Sequence, residues 1–224
     1  MSEFVGNGGY SFLYKDSGHD LGEEIKEKKI IVFELDKAKD NLLLLTVLLQ
    51  LVSTIIQKVI WLDKSIKGTV LFDEVAEQLK WDGVLRRIEY YFQAIRKQEG
   101  SVGMILQSES QLPDTPASRA IIENTQILYV LKAKDYRSLQ KRFQMSEHAY
   151  YQMCSLQSNF TAKRPFSELL IMRGDLHQVF RLELPKEVYW AYQTEGIENE
   201  KLLNVYKECG DMETAINKFL TLNQ

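Results

Sequence analysis

The sequence predicts an α/β domain, a parallel sheet flanked by helices, with a helical appendage at its C-terminal end. Three observations predict it. Short β-branched and apolar runs alternate with longer helical stretches through much of the chain. One of those runs, Gly68-Thr69-Val70-Leu71-Phe72-Asp73-Glu74, ends in two adjacent carboxylates, as strands at the carboxyl edge of a parallel sheet often do. Residues 185–224 carry a helical pattern broken only at Gly196 and Gly210.

Residues 1–29 are rich in glycine and charge (Gly6, Gly8, Gly9, Gly18 and Gly22, then Glu23-Glu24-Ile25-Lys26-Glu27-Lys28-Lys29) and read as loops with a short leading helix. The core is expected over 30–184. Its first strand is Ile30-Ile31-Val32-Phe33-Glu34-Leu35, followed by an apolar crossover helix from Asn41 and a second strand at Thr69–Phe72. Val75 to Lys97 has helical spacing at Leu79, Val84, Leu85, Ile88, Tyr91, Phe92 and Ile95, with Asp82-Gly83 as an interruption. Val102–Gln107 reads as a third strand. A polar loop at 108–118 with Pro113 and Pro116, and a short helix at Arg119–Asn124, lead to a fourth strand at Gln126–Leu131. Two short helices follow at Asp135–Phe143 and Ser146–Ser155, the second opening on Ser146 as N-cap. Glu168–Met172, the turn Arg173-Gly174-Asp175 and Gln178–Leu184 read as a hairpin, and the helical tail closes the chain over 185–224.

At 224 residues, 45% apolar and 26% charged, the composition is that of an ordinary globular protein able to bury a sizeable core. A net charge of −3 argues against a surface dominated by phosphate contacts. Cys154 and Cys209 are far apart, and His19, His148 and His177 fall in no zinc pattern, so reduced thiols in a cytosolic protein are expected. No basic n-region followed by an apolar run opens the sequence. The uncharged stretch Leu42–Ile56, inside the apolar segment Asn41 to Leu62, is shorter than the roughly 20 residues a bilayer core requires. It reads as a helix buried in the fold, with membrane contact as the alternative.

Asp73 and Glu74 carry the strongest chemical signal. An aspartate at the end of such a strand suits a magnesium shell, and the next glutamate suits orientation of an attacking water. The alternative is a strand end with acids favouring the first turn of a following helix. Gln107, at the end of the next strand, suits recognition of a terminal phosphate or ordinary loop hydrogen bonding. Arg96 and Lys97 lie before Gly100, either as cations favoured at a helix C-terminus or as an arginine finger reaching a neighbouring subunit. No Gly-Lys dipeptide occurs in the 224 residues, so there is no GxxxxGK[ST] phosphate loop among them.

The order of the motifs resembles a family. IVFELDKAKDN, the apolar helix, GTVLFDE, AIRKQEGSVGMILQSES, SRAIIENTQILYVL and the closing VYWAYQTEGIENEKLLNVYKECGDMETAINKF are together similar to the C-terminal part of the type IV secretion and conjugation ATPases, in particular the TraG type. The resemblance covers nearly the whole chain. It implies a RecA-like P-loop NTPase motor domain, assembled as a hexamer in the cytoplasm at the inner membrane, peripheral to it through secretion-channel proteins. Its ATP hydrolysis would power channel assembly or substrate transfer. Carried onto this sequence, the resemblance makes Asp73 the magnesium-associated acid, Glu74 the catalytic base, Gln107 the glutamine after the third motif strand, and Arg96 and Lys97 the arginine-lysine pair. Asn124 matches the asparagine leading to the fourth strand, with Asn124 and Lys97 on the nucleotide side. The family's first nucleotide motif belongs upstream of the matching stretch, so weak or absent binding of ATP and Mg2+ is expected of this chain alone. Leu106 stands where threonine is common, and Val75-Ala76 replace an alanine-tryptophan pair, departures that put tuned or lost hydrolysis within reach. The alternatives are a non-catalytic interaction module of a secretion complex, or part of a HerA-type DNA translocase. The acidic balance disfavours the latter, and no direct nucleic-acid binding is expected.

Overall fold

The computed structural model describes residues 6–9, 11, 25, 28–35, 38, 41–57, 67–160, 164–193 and 196–222. The expected leading helix before residue 30 falls largely outside them, as do His19 and residues 58–62 of the apolar segment. The chain divides into two compact units, Met1–Thr125 and Gln126–Gln224. The stretch 30–184 expected as one core therefore contributes to both.

In the first unit, helix α1 spans Leu42–Ile56 and starts where the Asn41 side-chain oxygen accepts the Leu44 N–H at 3.0 Å. Its bounds coincide with the uncharged stretch of the sequence. Leu45, Ser53 and Ile56 are buried, while Leu43 and Leu51 are exposed, so the helix is enclosed along one stripe only. Among the described residues no helix is long and apolar enough to cross a membrane.

Strand β1 (Thr69–Phe72) runs parallel to β2 (Ser101–Met104), in register from Thr69↔Ser101 to Phe72↔Met104. Parallel neighbours need a crossover, and helix α2 (Asp82–Ala94) supplies it. The helix begins at Asp82, where the sequence pattern is interrupted, and the Asp82 carboxylate accepts from Arg86 Nε one turn on at 2.7 Å. Leu85, Ile88 and Tyr91 recur at three-residue spacing and are buried. Around them Val75, Leu79, Leu112, Ala117 and Ile121 close one cluster, and Ile56, Val70, Tyr91 and Ile95 close another. Burying each such leucine or isoleucine contributes about 1.5–3 kcal/mol. Helix α3 (Pro116–Asn124) opens with Pro116 in its first turn and Thr115 as cap, accepting from Ser118 N–H at 3.2 Å.

Gly100 is required where β2 begins. A Cβ there would meet Ile95 Cγ1 at 2.9 Å and the Gly68 carbonyl oxygen at 3.0 Å. That carbonyl accepts the first ladder bond, from Ser101 N–H at 2.9 Å.

The second unit holds an antiparallel sheet. β5 (Phe166–Arg173) and β6 (Leu176–Glu183) form the expected hairpin, closed by Gly174-Asp175 with Gly174 at φ 57°. β3 (Leu128–Leu131) and the short β4 (Ser158–Asn159) also pair with β5. Helices α4 (Arg137–Arg142) and α5 (Glu147–Cys154) follow β3, and Ser146 caps α5 as expected, accepting from Ala149 N–H at 3.1 Å. Val130, Tyr136, Met145, Ala149, Met153, Leu156 and Leu170 form the core between them. The tail is three helices, α6 (Lys186–Tyr192), α7 (Gly196–Cys209) and α8 (Met212–Leu222), with Trp190 edge-on to Phe219 at 4.9 Å between ring centres.

Two expectations about the sheet are corrected. Residues 30–35 are not in a strand, and Ile30 and Val32 are more than four-fifths exposed. Among the described residues no strand pairs with them, and apolar β-branched residues form a strand only against a ladder partner. The fourth strand exists, yet among the described residues it pairs only antiparallel. Leu128 and Val130 sit opposite Met172 and Leu170 of the antiparallel hairpin. Alternation in the sequence records which face of a strand is buried, and not which partner buries it.

Candidate functional site

The carboxyl edge of the β1–β2 pair gathers three of the candidate residues, Asp73, Glu74 and Gln107. Phe72 O accepts from Ile105 N–H at 2.9 Å, so the ladder runs to the strand ends and sets Asp73 level with Ile105. Gln107 follows two residues later along the same edge. Asp73, Glu74 and Gln107 are exposed there. Among the described residues no hydrogen bond or ion pair engages either carboxylate.

Glu74 is anchored by its backbone. It adopts φ 50°, the left-handed region that a residue with a Cβ enters at a cost of roughly 1–2 kcal/mol. The next residue, Val75, is buried, and its carbonyl accepts from Gln78 and Leu79 N–H at 3.0 and 3.1 Å. Phe72 on one side and Val75 on the other thus bind the reversal to the core, leaving the two acids on its outer surface.

Gln107 is held by a residue that sequence reasoning missed. Its N–H donates to Gln111 Oε1 at 2.8 Å, and Ser108 caps the single helical turn Glu109–Gln111 by accepting from Ser110 N–H at 3.2 Å. The serine followed by an acid in SESQ is the signal that marks this turn in the sequence.

Arg96 and Lys97 are not brought to this edge. They lie on the helical turn Ile95–Gln98 before β2 begins, at the opposite end of the strands. Four strand residues separate the two ends by about 13 Å. Lys97 is exposed, and the side chain of Arg96 lies outside the described atoms. Asn124 ends α3 and donates from Nδ2 to the Ala120 carbonyl at 2.8 Å, a bond within its own helix. No described contact joins it to the acids.

The donor chemistry fits magnesium, which takes oxygen ligands, keeps several waters and is usually held by one or two carboxylates together with phosphates. The described residues do not make a complete nucleotide cradle. A cavity of about 110 Å³ lined by Leu45, Glu77, Gln78, Lys80 and Trp81 is well below the several hundred Å³ of a ligand pocket. Lys80 there is paired with Glu77 at 2.6 Å.

A family model described as the TraG P-loop domain matches residues 1–222. No curated protein matches the chain.

Proposed function

The chain belongs to the TraG P-loop domain family, and from that membership we propose that it carries the magnesium- and water-handling acids of a conjugation motor's ATP hydrolysis site. The family is that of conjugation-related P-loop ATPases. The observation that carries the proposal is the strained turn at Glu74, which holds two disengaged acids at the end of a parallel strand, the position where α/β sheets meet ligands. ATP with Mg2+ supplies the phosphoryl group and the charge that neutralises it.

In this reading Asp73 is the residue that would hold the magnesium ion, which would neutralise charge on the phosphoryl group. Glu74 accepts a proton from the attacking water, and Gln107, fixed through Gln111, orients that water or contacts the terminal phosphate. Arg96 and Lys97, on the far side of the strands, serve a nucleotide bound to a neighbouring subunit, and Asn124 lines the nucleotide side. The full motor is a RecA-like hexamer at the cytoplasmic face of the inner membrane, docked on channel proteins and driving channel assembly or substrate transfer. These 224 residues contain no GxxxxGK[ST] loop, so the chain by itself binds ATP weakly in this reading; micromolar affinity would count against it.

The test is Glu74→Gln in the assembled motor. Turnover is expected to fall about 100- to 1,000-fold with ATP binding retained. Undiminished turnover removes Glu74 from this role. The absence of a GxxxxGK[ST] loop favours a second reading, a non-catalytic docking module, in which transfer survives Glu74→Gln yet fails when the chain is deleted.

A further inference from the structure

His148 and His177 have no ligand spacing in the sequence, but the second unit brings them together. His148 lies on α5 and His177 on β6, opposite Met172. Their ring centres are 5.0 Å apart, with planes at 61°. His177 shares its sheet face with Val179, which packs against the core cluster that includes Met153 and Ala149 of α5. Helix-on-sheet packing therefore positions the pair.

A third residue fixes its chemistry. Gln152 lies one turn after His148 on the same helix face, and its Oε1 is 2.7 Å from His177 Nδ1. An amide oxygen only accepts, so Nδ1 is the donor in this contact, and Nε2 is the ring nitrogen left for a ligand in the neutral ring. Metal-binding histidines are oriented in the same way, by a second group that accepts the remote ring N–H. The spacing agrees. With metal–nitrogen bonds of about 2.0–2.1 Å and each ring centre about 1.1 Å further out, a tetrahedral ion holds two imidazole centres about 5 Å apart.

The geometry points to a two-histidine site for a borderline divalent transition ion such as zinc, linking α5 to the hairpin. His148 and His177 are the ligands, and Gln152 is the positioning residue. Among the described residues no group of three histidines, cysteines or acids converges, and water would supply the remaining ligands. The exposure of His148 leaves the site open to an ion from solution. This assignment is independent of the nucleotide reading.

Titration of the full 224-residue chain with zinc chloride, followed by calorimetry, tests it. One equivalent is expected to bind, saturating below about 1 mM and raising the melting temperature by about 2–4 °C. His148→Ala and His177→Gln should each weaken binding at least tenfold, and Gln152→Ala about tenfold. Cys154→Ser and His19→Ala should leave it unchanged. Because His148 is exposed, His148→Ala tests the site even if the His177 variant fails to fold. No saturable binding up to about 1 mM zinc, affinity retained in His148→Ala, or affinity lost in Cys154→Ser or His19→Ala would overturn the assignment.

Discussion

Acids of the second unit's sheet and tail and those at the end of β1 are held differently. In the second unit Glu168 faces Arg181 across the hairpin at 2.8 Å, Glu147 takes Gln140 Nε2 at 2.9 Å and Arg137 at 3.1 Å, and Asp211 takes the Thr214 N–H at 2.8 Å; in the first unit Asp82 and Glu77 are paired in the same way with Arg86 and Lys80. Arg181 also lies over the Phe166 ring at 4.0 Å, and Arg137 over Tyr150 at 3.6 Å. In the first unit Asp73 and Glu74 stand at a strand end, clear of such partners among the described residues and held by backbone and core alone. An acid saturated by its own fold contributes structure and has little capacity left for a ligand. Disengaged acids on a strained turn contribute little to stability and remain available. That contrast, more than the identity of the residues, separates the candidate site from the polar networks of the sheet.

If the edge of the first unit depends on the core beneath it, the largest effect is Leu85→Ala. Leu85 is 1% exposed, and the cavity should cost about 2–5 kcal/mol in urea denaturation. A loss under about 1 kcal/mol would mean that the core does not support the edge. Gly100→Ala comes next. Its Cβ would press on Ile95 and the Gly68 carbonyl, separating the start of β2 from β1 at about 1–3 kcal/mol. Glu74→Gly sharpens the contrast in the opposite direction. It removes the left-handed strain and should stabilise the chain by up to about 1 kcal/mol while abolishing turnover in the motor. Destabilisation by Glu74→Gly would show that the glutamate side chain has a structural partner after all.

Much of this was legible locally. The second strand and the uncharged part of the apolar helix have the bounds their residue patterns predict, and Ser146 and Gly174 do what their types and places imply. These features depend on residues close in sequence. Pairings between distant segments were not legible: Leu128–Leu131 reads as a strand, but its antiparallel partner lies some forty residues on and is chosen by the hairpin face it covers. Asp73, Glu74 and Gln107 lie along one edge because strand ends in a parallel pair share it. The left-handed backbone at Glu74 has no composition signal, since glycine would be the usual residue there. Nor does a list of three histidines reveal that two of them meet when a helix packs on a sheet.

The smallest expected effect concerns the bound acids of the second unit, and its sign follows from their partners. The Glu168 carboxyl is held below its ordinary value first by Arg181 and then by the Gln157 N–H. Glu147 is lowered first by Gln140 and then by Arg137, and Asp211 by the backbone N–H and then the hydroxyl of Thr214. A carboxyl with a depressed folded value stabilises the fold fully above its unfolded value, near pH 4, and loses that contribution as pH falls through the folded value. The melting temperature should therefore decline as pH drops from about 5 to 3. Glu168→Gln tests one contributor: the variant should melt lower at pH 7, and the gap should narrow towards pH 3 as the wild-type acid is protonated. Surface pairs contribute little, so the gap is modest. A gap of constant size across this range would mean that the Glu168–Arg181 charge pair adds nothing beyond shape, and the contrast between bound and disengaged acids would then rest on geometry alone.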